Sequence, residues 1–156
     1  DFRDIDFDNY PAGKLKRSII DLKNRSSKLL SISDQTCEFA VVNPYFLGIK
    51  SNYSWMACTE RKTGNAPLQA IKKINLETKE ELFWSAAPKG FVSEPIMVPK
   101  KDSKYEDEGY LLILIWNGSR RGSDLIILNS KTLEELATYE LPVNIPHGLH
   151  GSWSNE

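Results

Sequence analysis

Short apolar segments separated by turn residues dominate the chain from about residue 35 onward. Each segment has about four to eight residues and is rich in Ile, Val, Leu, Tyr, Phe or Trp, as β-strands are. Prolines lie between the segments, and no apolar period of 3.6 residues continues long enough for a large helix. The pattern therefore predicts an all-β protein. The predicted strands are Cys37–Val42, Tyr53–Thr59, Leu68–Asn75, Glu81–Ser85, Ile96–Pro99, Tyr110–Asn117, Asp124–Asn129 and Thr138–Leu141.

Residues 1–34 have a weaker pattern. Charged residues alternate there with short apolar groups such as Leu15 and Ile19, and Pro11 and Gly13 interrupt them. Since neither a strand period nor a helix period continues through this part, we expect an irregular lead-in with one short strand or helix. The β-sheet structure is expected over residues 35–156.

A repeat supports a more specific architecture. Residues 75–82 align without gaps with residues 129–136, and the two segments have the same residue at five of the eight positions. An apolar segment precedes each copy, so each copy is the polar turn of a predicted hairpin. A hairpin that recurs once per ~40–50 residues is typical of β-propeller blades. Two ordinary hairpins with similar turn composition are the alternative, and the repeat by itself favours a propeller without proving it.

Composition narrows the class of protein. The net charge of −1 provides no basic surface for nucleic acid or for an anionic membrane. The longest apolar run, Leu111–Trp116, is far shorter than the ~20 residues that span a bilayer. Cys37 and Cys58 lie in separate apolar segments, and we expect reduced thiols in a cytoplasmic protein. The chain begins with Asp1 rather than Met, which indicates a fragment or a processed product.

Few residues are candidates for chemistry. His147 and His150 are the two histidines, and both lie in a loop with Pro and Gly after the last predicted strand. Glu38 and Glu94 are single acids within apolar segments. Strand alternation can point each Glu to water, or each carboxylate can accept a hydrogen bond from a metal-bound imidazole. No Gly-x-Ser-x-Gly elbow, P-loop or dinucleotide-binding motif occurs.

Several motifs together resemble one family, the carotenoid cleavage oxygenases. The similarity runs from about residue 35 to 153, and its C-terminal motif is fairly specific. The matching segments include Ser93–Pro99, the acidic segment Glu106–Gly109, Tyr110–Trp116, Asp124–Asn129 and Leu149–Trp153. Glu38-Phe39 resembles the family's Glu-Phe-Pro segment, although Ala40 stands where proline is usual. Leu149 also departs from the family pattern, because phenylalanine is common before the last histidine.

The resemblance implies a seven-bladed β-propeller with Fe(II) on its axis, of which this chain provides the C-terminal blades. In the family four histidines hold the iron, and three glutamates accept hydrogen bonds from some of those imidazoles. The match assigns His150 to the C-terminal iron ligand, with His147 as a less favoured alternative, and assigns Glu38 and Glu94 to two of the glutamates. The other three histidines and one glutamate would lie before residue 1.

The implied activity is oxidative cleavage of a conjugated double bond of a carotenoid or apocarotenoid by O₂. Stilbene-like phenols are also substrates in the family, and one branch isomerises retinyl esters. We expect the chain alone to bind iron weakly and to be inactive, and we expect any peripheral membrane contact to come from upstream regions. The alternatives are a non-catalytic propeller segment that serves as an interaction module, and an unrelated propeller hydrolase or binding protein.

Overall fold

The computed structural model describes residues 6, 9, 11–61, 64–148 and 150–154. In these residues ten strands and one short 3-10 helix form, without an α-helix, so the predicted all-β class is confirmed. The strands are β1 (Lys14–Asp21), β2 (Ser26–Val41), β3 (Tyr53–Thr59), β4 (Leu68–Asn75), β5 (Glu81–Ser85), β6 (Gly90–Val92), β7 (Ile96–Pro99), β8 (Gly109–Asn117), β9 (Gly122–Asn129) and β10 (Glu135–Glu140). The 3-10 helix covers Pro44–Phe46. No described helix is long and apolar enough to cross a membrane.

The strands of the described residues form two antiparallel sheets. The first sheet has the order β1-β2-β3-β4-β5, and the second has the order β10-β9-β8-β6, with β7 also paired to β8. One apolar core joins them, because Trp55 and Ile71 of the first sheet pack in the same cluster as Leu111, Ile113 and Leu128 of the second. Sheets that follow each other in sequence and pack face to face are arranged as neighbouring propeller blades are.

The predicted repeat is confirmed as a structural repeat. Each copy is a turn between two paired strands, β4–β5 and β9–β10. The Asn side chain accepts hydrogen bonds from the backbone N–H groups two and three residues later, at 2.9 and 3.1 Å for Asn75 and at 2.8 and 3.2 Å for Asn129. Four residues after each Asn the backbone is left-handed, with φ of 68° at Lys79 and 59° at Leu133. The two similar segments therefore have nearly equal turn geometry.

The prediction of an irregular lead-in over residues 1–34 is wrong for most of its length. β1 pairs with the first half of β2, and Asp21 closes their turn by accepting hydrogen bonds from the N–H groups of Lys23 and Asn24, both at 3.0 Å. The side chains of this hairpin are mostly exposed, so the sequence lacks the apolar alternation of a half-buried strand. β6 was also missed, because three residues are too few for a detectable period.

Two buried carboxylates connect the sheets. Glu106 accepts hydrogen bonds from the N–H of Asn52 at 2.8 Å, from the N–H of Tyr53 at 2.9 Å and from the hydroxyl of Ser51 at 2.6 Å. Asp107 forms an ion pair with Nζ of Lys73 at 2.7 Å. Since Glu106 and Asp107 precede β8 while their partners flank or lie within β3 and β4, this segment fixes one sheet against the other.

Candidate functional site

The loop after β10 is tied back to the second sheet before it reaches His150. The buried hydroxyl of Ser123 in β9 accepts a hydrogen bond from the N–H of Ile145 at 2.8 Å and donates to the carbonyl of Ile145 at 3.1 Å. The N–H of Leu141 donates to the carbonyl of Ser123 at 2.9 Å. One serine therefore holds both ends of residues 141–145 against the start of β9. The following residues extend from that point toward the segment between β6 and β7.

Glu94 lies in that segment, and its position is fixed on both sides. Before it, Ser93 donates from its N–H at 3.0 Å and from its hydroxyl at 2.9 Å to the carbonyl of Leu114 in β8. After it, Pro95 is fully buried and directly precedes β7. The Glu94 side chain is 16% exposed, so most of it is buried.

The Glu94 carboxylate holds His150 through one oxygen. Oε2 of Glu94 lies 3.1 Å from Nδ1 of His150 and also accepts a hydrogen bond from the N–H of Gly151 at 3.0 Å. A ring nitrogen that donates to a carboxylate fixes the tautomer and leaves the other nitrogen as an electron-pair donor. With Nδ1 committed to Glu94, Nε2 of His150 is the atom available to a metal ion. The His150 side chain is 71% exposed.

An aromatic ring contacts His150 as well. The Phe39 ring meets the imidazole in an edge-to-face arrangement, with 5.8 Å between centroids and 89° between planes. The sequence did not suggest this contact, although Phe39 stands next to the predicted Glu38. A mainly apolar pocket of about 210 Å³ also lies beside His150. Its apolar side chains are Ile96, Leu112, Leu114 and Leu125.

The structure brings together two of the three predicted site residues. Glu94 and His150 are in contact, whereas Glu38 is exposed on β2 opposite Ala57 and forms no hydrogen bond with His150. Glu38 is nevertheless the residue before Phe39, and its functional role stays a prediction. The alternative ligand His147 packs edge-to-face on Phe91 with 6.2 Å between centroids. Leu149 lies outside the described residues.

The donor set within this chain is small. Among the described residues, no group of three or more His, Cys, Asp and Glu side chains is placed to hold a metal ion. The Glu94–His150 pair fits a single metal ligand with a carboxylate behind it, which is the common arrangement around metal-bound histidine. The described part of the chain therefore offers one imidazole held by a carboxylate, without a complete set of metal ligands.

Comparison with known proteins shows the family of this chain. Residues 2–155 match the retinal pigment epithelial membrane protein family. The chain belongs to this family. It is 42% identical over 156 residues to apocarotenoid-15,15'-oxygenase of Synechocystis, a match that covers 99% of the chain and 32% of that protein. It is 33% identical over 113 residues to the chloroplastic carotenoid cleavage dioxygenase 8 of Arabidopsis thaliana, a match that covers 72% of the chain and 19% of that protein.

Solved structures of the family have the same fold. The crystal structure of cobalt-substituted Synechocystis apocarotenoid oxygenase superposes with a TM-score of 0.95 and 41% identity, covering 99% of this chain and 33% of that one. A chimera of this oxygenase with a retinal pigment epithelial membrane protein gives a TM-score of 0.96 and 42% identity, covering 100% and 33%. The chain thus spans about a third of the length of these relatives. The predicted relationship to carotenoid cleavage oxygenases is confirmed.

Proposed function

We propose that the chain is the C-terminal part of a non-haem Fe(II) dioxygenase that cleaves a conjugated double bond of a carotenoid or apocarotenoid with O₂. The observation that carries the proposal is the Glu94–His150 pair, with 3.1 Å between Oε2 and Nδ1, at the predicted ligand position. The 42% identity to an apocarotenoid-15,15'-oxygenase supports the substrate class. The existence of a cobalt-substituted form of the Synechocystis relative supports a metal site.

Within this proposal each residue has a distinct task. Nε2 of His150 is one iron ligand, and Glu94 holds the proton on Nδ1 and fixes the ring. Glu38 is exposed and forms no hydrogen bond with His150. We therefore propose that its carboxylate accepts a hydrogen bond from an imidazole that lies outside this chain. Bound iron would supply the O₂ chemistry. Ile96, Leu112 and Leu114 would offer an apolar wall to a polyene beside His150.

The proposal also explains why the chain alone would be inactive. One imidazole cannot build a four-histidine site, and metal affinity depends on a preformed set of deprotonated ligands. The chain spans only about a third of its relatives, so the remaining ligands would lie in the other two thirds of the complete enzyme. We therefore expect tight iron binding and cleavage from the complete enzyme, and only weak iron binding without cleavage from this chain in isolation.

The decisive experiment replaces each histidine in the complete enzyme. The enzyme is loaded anaerobically with Fe(II), its iron content is measured, and apocarotenoid cleavage is followed by loss of polyene absorbance. His150→Ala is expected to lose both iron and activity, whereas the matched control His147→Ala retains both. Glu94→Gln is expected to weaken metal affinity by about 10–100-fold, as removal of a partner behind a ligand usually does. Retention of iron by His150→Ala together with its loss from His147→Ala would contradict the assignment.

A further inference from the structure

Strand β2 contains an irregularity directly beside the proposed site. In the pairing of β2 with β3, Glu38 lies opposite Ala57, but the next register pair is Val41 with Trp55. Three steps along β2 therefore correspond to two steps along β3, which is the signature of a β-bulge. Within the bulge Phe39 has φ of 57°, a left-handed conformation that is costly for a residue with a side chain.

The bulge changes the face on which Phe39 lies. Successive side chains of a regular strand point to opposite faces, so Phe39 would share the face of Cys37. Cys37 packs with Met56 and Cys58 in the apolar cluster on the far side of the first sheet. Phe39 packs instead against the core between the two sheets. One extra residue thus transfers this ring from one side of the sheet to the other.

The Phe39 ring contacts the imidazole of His150, and the hydrogen bond from Glu94 does not by itself fix the rotation of that imidazole. The contact between Oε2 of Glu94 and Nδ1, at 3.1 Å, fixes one atom of the imidazole, but a single hydrogen bond allows the ring to rotate about it. The Phe39 ring lies at 89° to the imidazole with 5.8 Å between centroids. Because Phe39 is itself packed on the core, it limits that rotation. A left-handed residue persists where surrounding contacts require it, and bulges often redirect side chains next to active sites.

We infer that Phe39 is a positioning residue for His150: the β-bulge places its ring against the imidazole so that Nε2 points in one direction. The inference rests on the proposed function, because it assumes that Nε2 is a metal ligand. Glu94 then sets the tautomer and the anchor point, and Phe39 sets the rotation. An imidazole held at both points presents its lone pair without first losing rotational freedom.

The test measures Co(II) binding by the complete, metal-free enzyme, with CoCl₂ as the probe and the visible absorption of bound Co(II) as the signal. Phe39→Leu keeps an apolar side chain but removes the ring, and we expect affinity to fall about 10-fold, within the range for residues that orient a ligand. Phe39→Tyr keeps an aromatic ring, and its Co(II) affinity should lie within about twofold of that of the original protein. The matched control is Phe91→Leu, since Phe91 contacts His147 with nearly the same geometry, 6.2 Å and 90°. This control should leave the affinity unchanged.

A second measurement needs no metal and does not depend on the affinity result. In metal-free protein with ¹³C-labelled histidine, the neighbouring Phe39 ring should displace the carbon-bound proton shifts of His150. Phe39→Leu should remove that displacement and Phe39→Tyr should keep it, while Phe91→Leu affects only His147. If His150→Ala abolishes Co(II) binding but Phe39→Leu alters neither the affinity nor the shifts, Phe39 has no positioning role and the proposed function stands. If His150→Ala leaves Co(II) binding intact, the proposed function itself fails.

Discussion

The central strands of the first sheet and the loop that carries His150 differ in burial and in how many of their polar side-chain atoms have bonding partners. In β3 and β4 both faces are buried, and Trp55, Cys58 and Ile71 are 0% exposed. Even the two lysines of β4 have partners: Nζ of Lys72 lies 2.9 Å from Glu81, and Nζ of Lys73 lies 2.7 Å from Asp107. His150 instead has a 71% exposed side chain and one ring nitrogen held by Glu94.

This difference separates the scaffold from the site. Buried charges are costly unless they are paired, so the charges of β4 contribute to stability only as long as their partners remain. An exposed imidazole contributes little to stability, and its free nitrogen is available to a ligand. Substitutions in β3 and β4 should therefore change the free energy of unfolding, and under the proposed function the substitution of His150 should change metal binding.

The largest expected effect comes from breaking the Lys73–Asp107 pair. Lys73→Met leaves the buried Asp107 carboxylate without its cation, and we expect a loss of about 3–5 kcal/mol in the free energy of unfolding by urea. The double variant Lys73→Met, Asp107→Leu removes both charges and should recover most of that loss. The matched control is the exposed Lys28→Met, expected to stay within about 0.5 kcal/mol. A loss for the double variant as large as for Lys73→Met would show that the pairing is not what matters.

The two repeated turns allow the effect of side-chain burial on stability to be tested at the same backbone geometry. Lys79 and Leu133 occupy the same left-handed position, but Leu133 is 4% exposed and belongs to the core, whereas Lys79 is exposed. Glycine adopts this conformation without the cost of a side chain. Leu133→Gly nevertheless loses core packing, so we expect a net loss of about 2 kcal/mol in the free energy of unfolding. Lys79→Gly should gain about 0.5 kcal/mol. Equal shifts from the two variants would contradict a role for burial.

A smaller effect should appear as a pH dependence. Burial raises the pKa of the Cys58 thiol from 9.0 to about 12. Because the pKa is raised by folding, the stabilisation is complete below pH 9 and is lost as the pH rises toward 12. At pH 10 we expect a loss of about 1 kcal/mol, measured by urea unfolding. Other groups titrate there too, so the comparison is with Cys58→Ala, whose stability should fall less steeply between pH 8 and 10. Identical slopes would show that Cys58 is not the group concerned.

The strands and turns of the scaffold could be predicted from the sequence more completely than the site. The strands β3, β4, β5 and β7 have the bounds that the apolar pattern predicts, because each is a short run of strand-forming residues between turn residues. The Asn75 and Asn129 turns were found because their geometry depends on local residues. The exposed hairpin of β1 and β2 was missed because its side chains have little contact with the core.

The site was predictable only in part, for a related reason. Glu94 and His150 were found through a family motif, since two residues 56 positions apart give no local signal of contact. The β-bulge at Phe39 was not visible in the sequence, because it depends on how β2 aligns with β3. Ala40, which stands where the family commonly has proline, gave no indication of it either.

The smallest expected effect on stability is that of His150→Ala in the metal-free protein. His150 is largely exposed, and Oε2 of Glu94 retains the hydrogen bond from the N–H of Gly151 at 3.0 Å after the ring is removed. Exposed pairs of this kind contribute little, so the free energy of unfolding by urea should change by less than about 0.5 kcal/mol. With saturating Co(II) the complete enzyme should gain stability, since a ligand that binds only the folded state stabilises it. The variant should lose that gain. A loss above about 1 kcal/mol without metal would mean that the loop belongs to the scaffold, and the separation between stability and metal binding would fail.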